Sequence, residues 1–538
     1  MTTSERSPTN ETVRVERSEA KLGEVETPKA QRAALRLRAF GATLSANGYV
    51  HHMRPAALAL TLATLLAGCS LAPTYKLPSV SMPATYKDGT GLWTHAAPAD
   101  LSPRGDWWTM FNDAELDKLE RQLDANSPSL AIALARYERA SAFESAARAG
   151  LFPSLGVGGG VSDNRQSNQR PLRGANQPNE YDDDGAQFGA DYEFDLWGRI
   201  RNEVAAGHAQ AQAAQADLAS ARLSLEARLA DAYFQLRGYD IQAHILQSSL
   251  KAYQQGLTLT RNRMQGGIAS GLAVARAQNQ LADAQAQTEE VAAQHALTEH
   301  AIATLVGTPA SNFRLPVSPR KIHAPTIPAS VPSTLLQRRP DIAAAERRTA
   351  AANAQIGIAR AAYFPSISLS AQGGFQSRVY PDLLSAPNHF WALGPNLLET
   401  LFDGGYRKAQ VQAARAASDA AGATYRGVVL NAFAQVEDAL AQLDQLGAAQ
   451  DDQQTAARAA QQALRLSMVQ YQAGATSYLD VTSAQTTALA AQLGLLQIQT
   501  QRLRASVALV RALGGGWSRA ELPGSLHGMD SAPAGKTR

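Results

Sequence analysis

The chain has 538 residues, and its 50 lysines and arginines against 47 acidic residues leave a formal charge of +3. So balanced a charge, with no basic stripe, excludes an electrostatic nucleic-acid binder, and no apolar run reaches the 18 residues of a membrane-spanning helix. Mean hydropathy is −0.24 and aromatics make up 6%; long stretches of alanine and glutamine suit extended helices better than compact sandwiches. A single cysteine, Cys69, rules out an intramolecular disulfide and any cysteine-rich zinc site.

Residues 1–52 are polar and charged, unlike an export signal. From Met53-Arg54-Pro55 the pattern changes. A positive start, a short apolar run from Ala56 to Leu66 and small residues at Ala67-Gly68 define a signal peptide over 53–68. Either the chain begins functionally at Met53, the preferred reading, or the positive region is unusually long. Leu66-Ala67-Gly68-Cys69 resembles the bacterial lipoprotein box, which implies that Cys69 becomes an acylated first residue carrying diacylglycerol and palmitate. A proline-rich tether follows over 69–105, with Pro73, Pro78, Pro83 and Pro98 favouring an extended spacer.

The rest of the chain repeats itself. Ala147-Arg148-Ala149-Gly150-Leu151-Phe152-Pro153-Ser154 returns as Ala359-Arg360-Ala361-Ala362-Tyr363-Phe364-Pro365-Ser366, at an offset of 212 residues. Phe194-Asp195-Leu196-Trp197-Gly198-Arg199 returns as Phe402-Asp403-Gly404-Gly405-Tyr406-Arg407, offset 208, and Met264-Gln265-Gly266-Gly267 as Tyr471-Gln472-Ala473-Gly474, offset 207. Matches in order at nearly one spacing mean duplication. The units are 106–320 and 321–517, and a tail occupies 518–538.

Each unit follows one plan. A helix over Ser127–Ala149, or Pro340–Ala362, stops at Phe-Pro-Ser, because proline disfavours helical geometry in the residue before it. Period-two alternation then predicts half-buried strands. In the first unit a hairpin spans about 153–197, with a polar loop Asn164–Gly185 that includes Asp182-Asp183-Asp184. In the second it spans about 365–402, with its last strand from Phe390 to Phe402 and a disruptive Pro395. Strands of this length suit a tilted transmembrane β-strand. Long helices follow from Ile200 to about Gln265 and from Arg407 to about Gln472, each roughly 100 Å at ~1.5 Å per residue. They reverse at Gly266-Gly267 and Gly474 into helices that end near Val306 and Leu513.

Two hairpins cannot close a barrel, and lipid tolerates no open sheet edge, so other copies must complete the strands. The chain resembles the TolC-type outer-membrane factors, in the lipoprotein branch of the efflux outer-membrane proteins. The resemblance rests on Asp106-Trp107-Trp108-Thr109-Met110-Phe111-Asn112-Asp113, Leu336-Gln337-Arg338-Arg339-Pro340-Asp341-Ile342, Phe364-Pro365-Ser366-Ile367 and Phe402-Asp403-Gly404-Gly405, and covers Cys69 to about Trp517. It implies a mixed α/β membrane protein. Four transmembrane strands per protomer would enter a homotrimeric twelve-stranded barrel in the outer membrane, above long periplasmic helical hairpins forming an α-barrel. It implies a passive efflux conduit that docks a periplasmic membrane-fusion adaptor and an inner-membrane pump of the resistance-nodulation-division (RND) type. The competing reading is a poreless coiled-coil lipoprotein, which has no need of membrane-length hairpins.

The same resemblance supplies the site residues. The helix tips that meet the adaptor carry Gly266, Gly267, Leu272, Gly474 and Leu479. In the family, tyrosine, arginine and aspartate close the periplasmic gate. Tyr471 matches the tyrosine, but Gln470 stands where arginine is expected and Ser483 where aspartate is expected, with Asp480 one turn away and able to reach Arg465 or Arg276. An ionic lock is therefore not expected. Enzymatic signals are weak. Gly158-Gly159-Gly160 lacks the lysine of a phosphate loop, and Gly267-Ile268-Ala269-Ser270-Gly271 has the wrong spacing for a nucleophile elbow. His295 and His300 miss one helix face and read as surface histidines, and the Asp182–Asp184 run as a solvated loop. No cofactor or metal is expected beyond the lipid on Cys69.

Overall fold

Two copies of one helix–hairpin–helix plan succeed each other in the computed structural model, which describes residues 70–81, 86–87, 106–171, 174, 176–325, 327, 335–519 and 522. Residues 1–52, the signal segment 53–68 and Cys69 lie outside the described residues. Helix α1 (Ala114–Asn126) starts at Asp113, whose carboxylate accepts from the backbone N–H groups of Glu115 and Leu116. Such an acidic cap satisfies donors that a helix start leaves open. Helices α2 (Pro128–Ala149) and α5 (Pro340–Ala361) both carry proline at the first turn, where its missing N–H costs nothing. Between them come β1 (Ser154–Arg165), β2 (Glu180–Glu193), α3 (Arg199–Gln265) and α4 (Gly271–Leu305). The second copy continues with β3 (Ser366–Ser377), β4 (His389–Leu398), α6 (Tyr406–Gln472) and α7 (Tyr478–Leu513). Helices α3 and α6 are each 67 residues long, as the duplication requires.

The four strands form one antiparallel sheet in the order β1-β2-β3-β4. Below it, α3 lies between α2 and α5, and α5 packs on α6. The helices thus repeat the strand order. The first hairpin differs from expectation: β2 already begins at Glu180, so Asp182-Asp183-Asp184 belong to the strand, paired with Asp163, Ser162 and Val161, and are not a solvated loop. Asp184 is buried. The strands also end earlier than alternation suggests, at Glu193 and Leu398. The reason is the next aspartate. Asp195 accepts from the backbone N–H groups of Ile200 and Arg201, and Asp403 from those of Gly405 and Arg407, so each turns the chain into its long helix. Pro395 stays within β4, an edge strand of this chain, where proline is tolerated.

The main core is a girdle about midway along the helices. Trp107, Trp108 and Phe111 form a 3-10 turn that packs with Leu116, Leu119 and Leu123 of α1 against Leu229, Tyr233, Phe234 and Leu236 of α3, Val429 and Val436 of α6, and Val507 and Leu509 of α7. Phe111 and Phe234 lie 4.8 Å apart between ring centroids. The Asp106–Asp113 motif is therefore a packing nucleus that fixes the angle of α1 on the long helices. Arg339 of the second motif ties the girdle shut. Its guanidinium is buried and donates to Asp341, to the Gln435 side chain and to the carbonyl of Ala512.

Candidate functional site

Register assigns the two faces of the sheet. Leu155 pairs with Ala190, Val157 with Phe188, Phe188 with Gly373, Ala371 with Leu393, and Gly373 with Trp391. One face thus carries Leu155, Val157, Val161, Phe188, Trp391 and Leu393, all strongly exposed, with Leu155 at 81%. The opposite face carries glycine, serine, glutamine and aspartate, such as Gly158 opposite Gln187 and Gln372 opposite Gly189. Strands of 12, 14, 12 and 10 residues match a tilted bilayer crossing. No helix among the described residues is long and apolar enough to cross a membrane. An apolar belt outside and a polar wall inside is the arrangement of a membrane channel strand.

At the sheet–helix corners, repeated motifs hold the geometry. Trp197 donates to the carbonyl of Pro365 at 2.8 Å and stacks on Phe364 at 4.6 Å, so the Phe-Pro-Ser corner of one copy is fastened by the Phe-Asp corner of the other. Arg407 reaches Asp403 at 2.6 Å and Glu399 at 3.1 Å. The backbone and side-chain N–H groups of Arg407, with the N–H of Gly405, hold the half-buried Asp403 carboxyl down at about 2. In the first copy the aspartate takes a different arginine, Arg201, while Arg199 pairs with Glu193 and Glu203.

At the far end the two hairpins turn over. Gly267 at φ +70° and Gly474 at φ +77° occupy left-handed geometry, which only glycine adopts without strain. Gly266 has an ordinary φ of −81° and caps α3. Leu272 and Leu479 follow these turns and point to solvent, exposed to 60% and 50%, so in this protomer they are not core leucines. The expected gate residues are not brought together. Gln470 and Ser483 are exposed. Tyr471 is buried at 4% exposure and its hydroxyl meets Thr260 Oγ1 at 3.2 Å, not Gln470 or Ser483. Its ring packs on Tyr478 at 5.3 Å, beside Leu257, Val274 and Val481. Asp480 does not reach Arg465 or Arg276. Its carboxylate takes the backbone N–H of Ser477 at 3.1 Å and the hydroxyls of Thr476 and Ser477, a capping box for α7. The Thr476 and Ser477 hydrogen bonds lower its pKa below the ordinary aspartate value.

The profile of the outer membrane efflux protein family matches residues 119–308 and 331–515, the two copies of the repeat. The chain belongs to the outer membrane efflux proteins. It is 32% identical over 464 residues to outer membrane protein OprJ of Pseudomonas aeruginosa, covering 85% of this chain and 95% of that one. It is 33% identical to the pyoverdine export outer membrane protein OpmQ of the same species, over 86% of this chain and 97% of that one. Its fold matches the solved outer-membrane channel OprN with a TM-score of 0.77 at 30% identity, covering 84% of this chain and all of that one. This efflux protein is thus an outer-membrane channel component of a tripartite efflux system, with its sheet in the outer membrane and its helices in the periplasm. It works with an adaptor and an inner-membrane pump.

Several residues of this efflux channel escaped the sequence reading. Arg263, near the end of α3, donates to the carbonyls of Tyr471 and Gln472 at 2.7 and 3.1 Å, and its guanidinium lies 4.5 Å from the Tyr471 ring centroid. Nothing in its sequence neighbourhood signals this role, because its partners are 208 and 209 residues away. His295 is half-buried rather than a surface residue, 3.1 Å from the buried Asp240, which also pairs with Arg237 at 2.7 Å. His300 is exposed. Glu346 gathers Tyr75 of the tether, Arg347 of α5 and Arg519 beyond α7. Burial opposes its charge, but the Arg347, Tyr75 and Arg519 contacts hold its pKa below the ordinary value.

Proposed function

We propose that three copies of the chain close their four-stranded sheets into one barrel and their helices into one tunnel, through which substrates pass without chemical change. The observation that carries this is the sheet itself, membrane-length, apolar on one face and polar on the other, with β1 and β4 each paired on one side only. Exposed β-edges in lipid cost several kcal/mol per unsatisfied group, and pairing of β4 with β1 of the next copy removes both. Cross-linking between cysteines placed on β1 and β4, followed by mass determination, gives trimers. A monomer that conducts in planar bilayers would refute the closure, and a trimer that never conducts would favour a poreless adaptor.

The adaptor seats on the tips at Leu272 and Leu479, and the pump is of the RND type. Cys69 carries diacylglycerol and palmitate. Supporting this, the next residue, Ser70, donates to Asn202 Oδ1 at 3.0 Å, within the first turn of α3 beneath the sheet. From there the tether descends along α5, with Leu71 and Pro73 carbonyls held by Arg360 and Asn353. A Cβ on Gly357 would collide with Asn202 and Ala72, so glycine allows this close approach. The tether thus starts at membrane level, where an acyl chain needs no long spacer. Cys69→Ser abolishes fatty-acid labelling; persistent labelling would refute the site.

A further inference from the structure

Where α1 packs on α3, the girdle encloses more acid than base. Glu120 of α1 is 0% exposed, and neither of its carboxyl oxygens has a hydrogen-bond partner among the described residues. It lies among the girdle leucines, between Leu119 and Leu123 on its own helix. Glu226 of α3, also buried, accepts from Trp107 Nε1 and from Arg222 Nε, each at 2.9 Å. Arg222 is shared, since it also pairs with Asp124. The charged groups facing Glu120 are Glu226 and Arg222 from α3 and Asp117 and Asp124 from α1. Asp117 adds a further buried carboxyl oxygen without a partner. One guanidinium therefore faces four carboxyls. An isolated buried carboxylate costs far more than a neutral acid, so something must neutralise the excess. A metal does not suit the place, because no group of three or more ligating side chains among the described residues is arranged to hold one.

We propose that Glu120 and Glu226 form a proton-holding carboxyl pair, and that this proton makes the α1–α3 clasp of the girdle tight at neutral pH and loose in alkaline medium. Burial pushes the Glu120 carboxyl up to about 10, with the neighbouring Glu226 and Asp124 adding to it. Burial also raises Glu226 to about 7, against the opposing Trp107 and Arg222 hydrogen bonds. Both shifts are upward from 4.5, so the folded protein keeps protons that the unfolded chain releases. The stabilisation is complete below the ordinary glutamate value. It declines as pH climbs through about 7 and then about 10. The clasp sits 27 residues into α3, roughly 40 Å below the sheet at ~1.5 Å per residue. It pins the 3-10 turn and α1 to the long helix, so deprotonation loosens the belt around the helical tunnel rather than the barrel or the tips.

The test uses the purified full-length protein in detergent. Glu120→Gln keeps the size and hydrogen-bonding reach of the side chain and removes its charge. Thermal melting of the wild type shifts downward between pH 8 and pH 9.5, above the range in which Glu226 still titrates in both proteins, whereas the variant changes little over that interval and melts above the wild type at pH 9.5. Infrared difference spectra of the wild type at pH 8 show a carbonyl stretch of a protonated carboxylic acid that the variant lacks. A common pH slope in both proteins, or a wild type without that band, overturns the proposal. Should the glutamine variant not fold, Glu120→Leu and the wild-type infrared titration decide: a band that disappears as pH rises supports the pair, and its absence refutes it.

Discussion

Replacing Arg263 by alanine tests what holds the α3 and α6 tips together. Arg263 ties the α3 tip to the α6 tip beside the Thr260–Tyr471 hydroxyl contact, and three interactions are lost with it. The part-buried bond to the Tyr471 carbonyl is a charge-assisted bond, worth about 1.5 kcal/mol at the lower end of its class. The exposed bond to Gln472, at a helix C-terminus, contributes about 0.5 kcal/mol, a typical favourable charge–dipole value. The guanidinium over the Tyr471 ring adds about 0.5–1 kcal/mol at a partly exposed site. If opening separates the two tips, Arg263→Ala weakens the closed arrangement by about 2.5–3 kcal/mol per protomer, or roughly 70- to 150-fold in its equilibrium. Single-channel recording in planar bilayers reads this as a rise in open fraction. Arg263→Lys restores only part of it, because one ammonium cannot fork to two carbonyls. An unchanged open fraction in Arg263→Ala would refute the tie. The partners are carbonyl dipoles and not carboxylates, and Asp480 stays ionised between pH 5 and 8, since its pKa is lowered. Closure is thus nearly insensitive to salt and to pH in that range; steep opening with ionic strength would reveal an ion pair across the tips.

Leu479→Asp lowers export in cells while trimer yield stays intact, because the side chain is half exposed; loss of the trimer in gel filtration would return it to the packing core. Trp108→Ala, in contrast, removes a fully buried ring of the girdle and costs about 3–5 kcal/mol, visible as a sharp loss of folded protein and a lowered melting temperature. Tyr75→Phe and Glu346→Ala free the tether from α5, so limited proteolysis cuts near residue 78 faster than in the wild type. In the wild type the same release sets in only as pH falls below the ordinary glutamate range, because the folded Glu346 holds its charge to lower pH than the unfolded chain does.

What could be read in advance was what the chain states locally. Phe-Pro-Ser ends α2 and α5, glycine turns α3 into α4 and α6 into α7, and alternation marks the strands, because proline, glycine and period two act within a few residues of themselves. The long helices came out within a residue or two of their bounds for the same reason: nothing interrupts them. The misplacements share an opposite cause. Asp182-Asp183-Asp184 reads as a solvated loop by composition, yet pairing with β1 across a hairpin carries it into the sheet. Asp195 looks like a strand residue, and Asp403 like the first residue past one, until their carboxylates meet N–H groups two to six residues on. Tyr471 has the identity of a gate residue, but its hydroxyl partner, Thr260, belongs to the other copy of the repeat.

Duplication explains why such long-range ties were hidden. Two copies of one unit keep their corners and turns alike, since each copy must build the same strand-to-helix junction from its own residues. The contacts between copies carry no such constraint. Arg263 in the first unit donates to carbonyls at the end of α6 in the second, and Trp197 fastens the other copy's Pro365, while Glu346 of the second unit collects an arginine of the tail beyond α7. Each is a one-sided bond with no mirrored counterpart in the repeat, so offset matching is blind to it. One-sided ties at the tip, the sheet–helix corner and the tether each rest on their own residues, so a substitution at one leaves the other two in place.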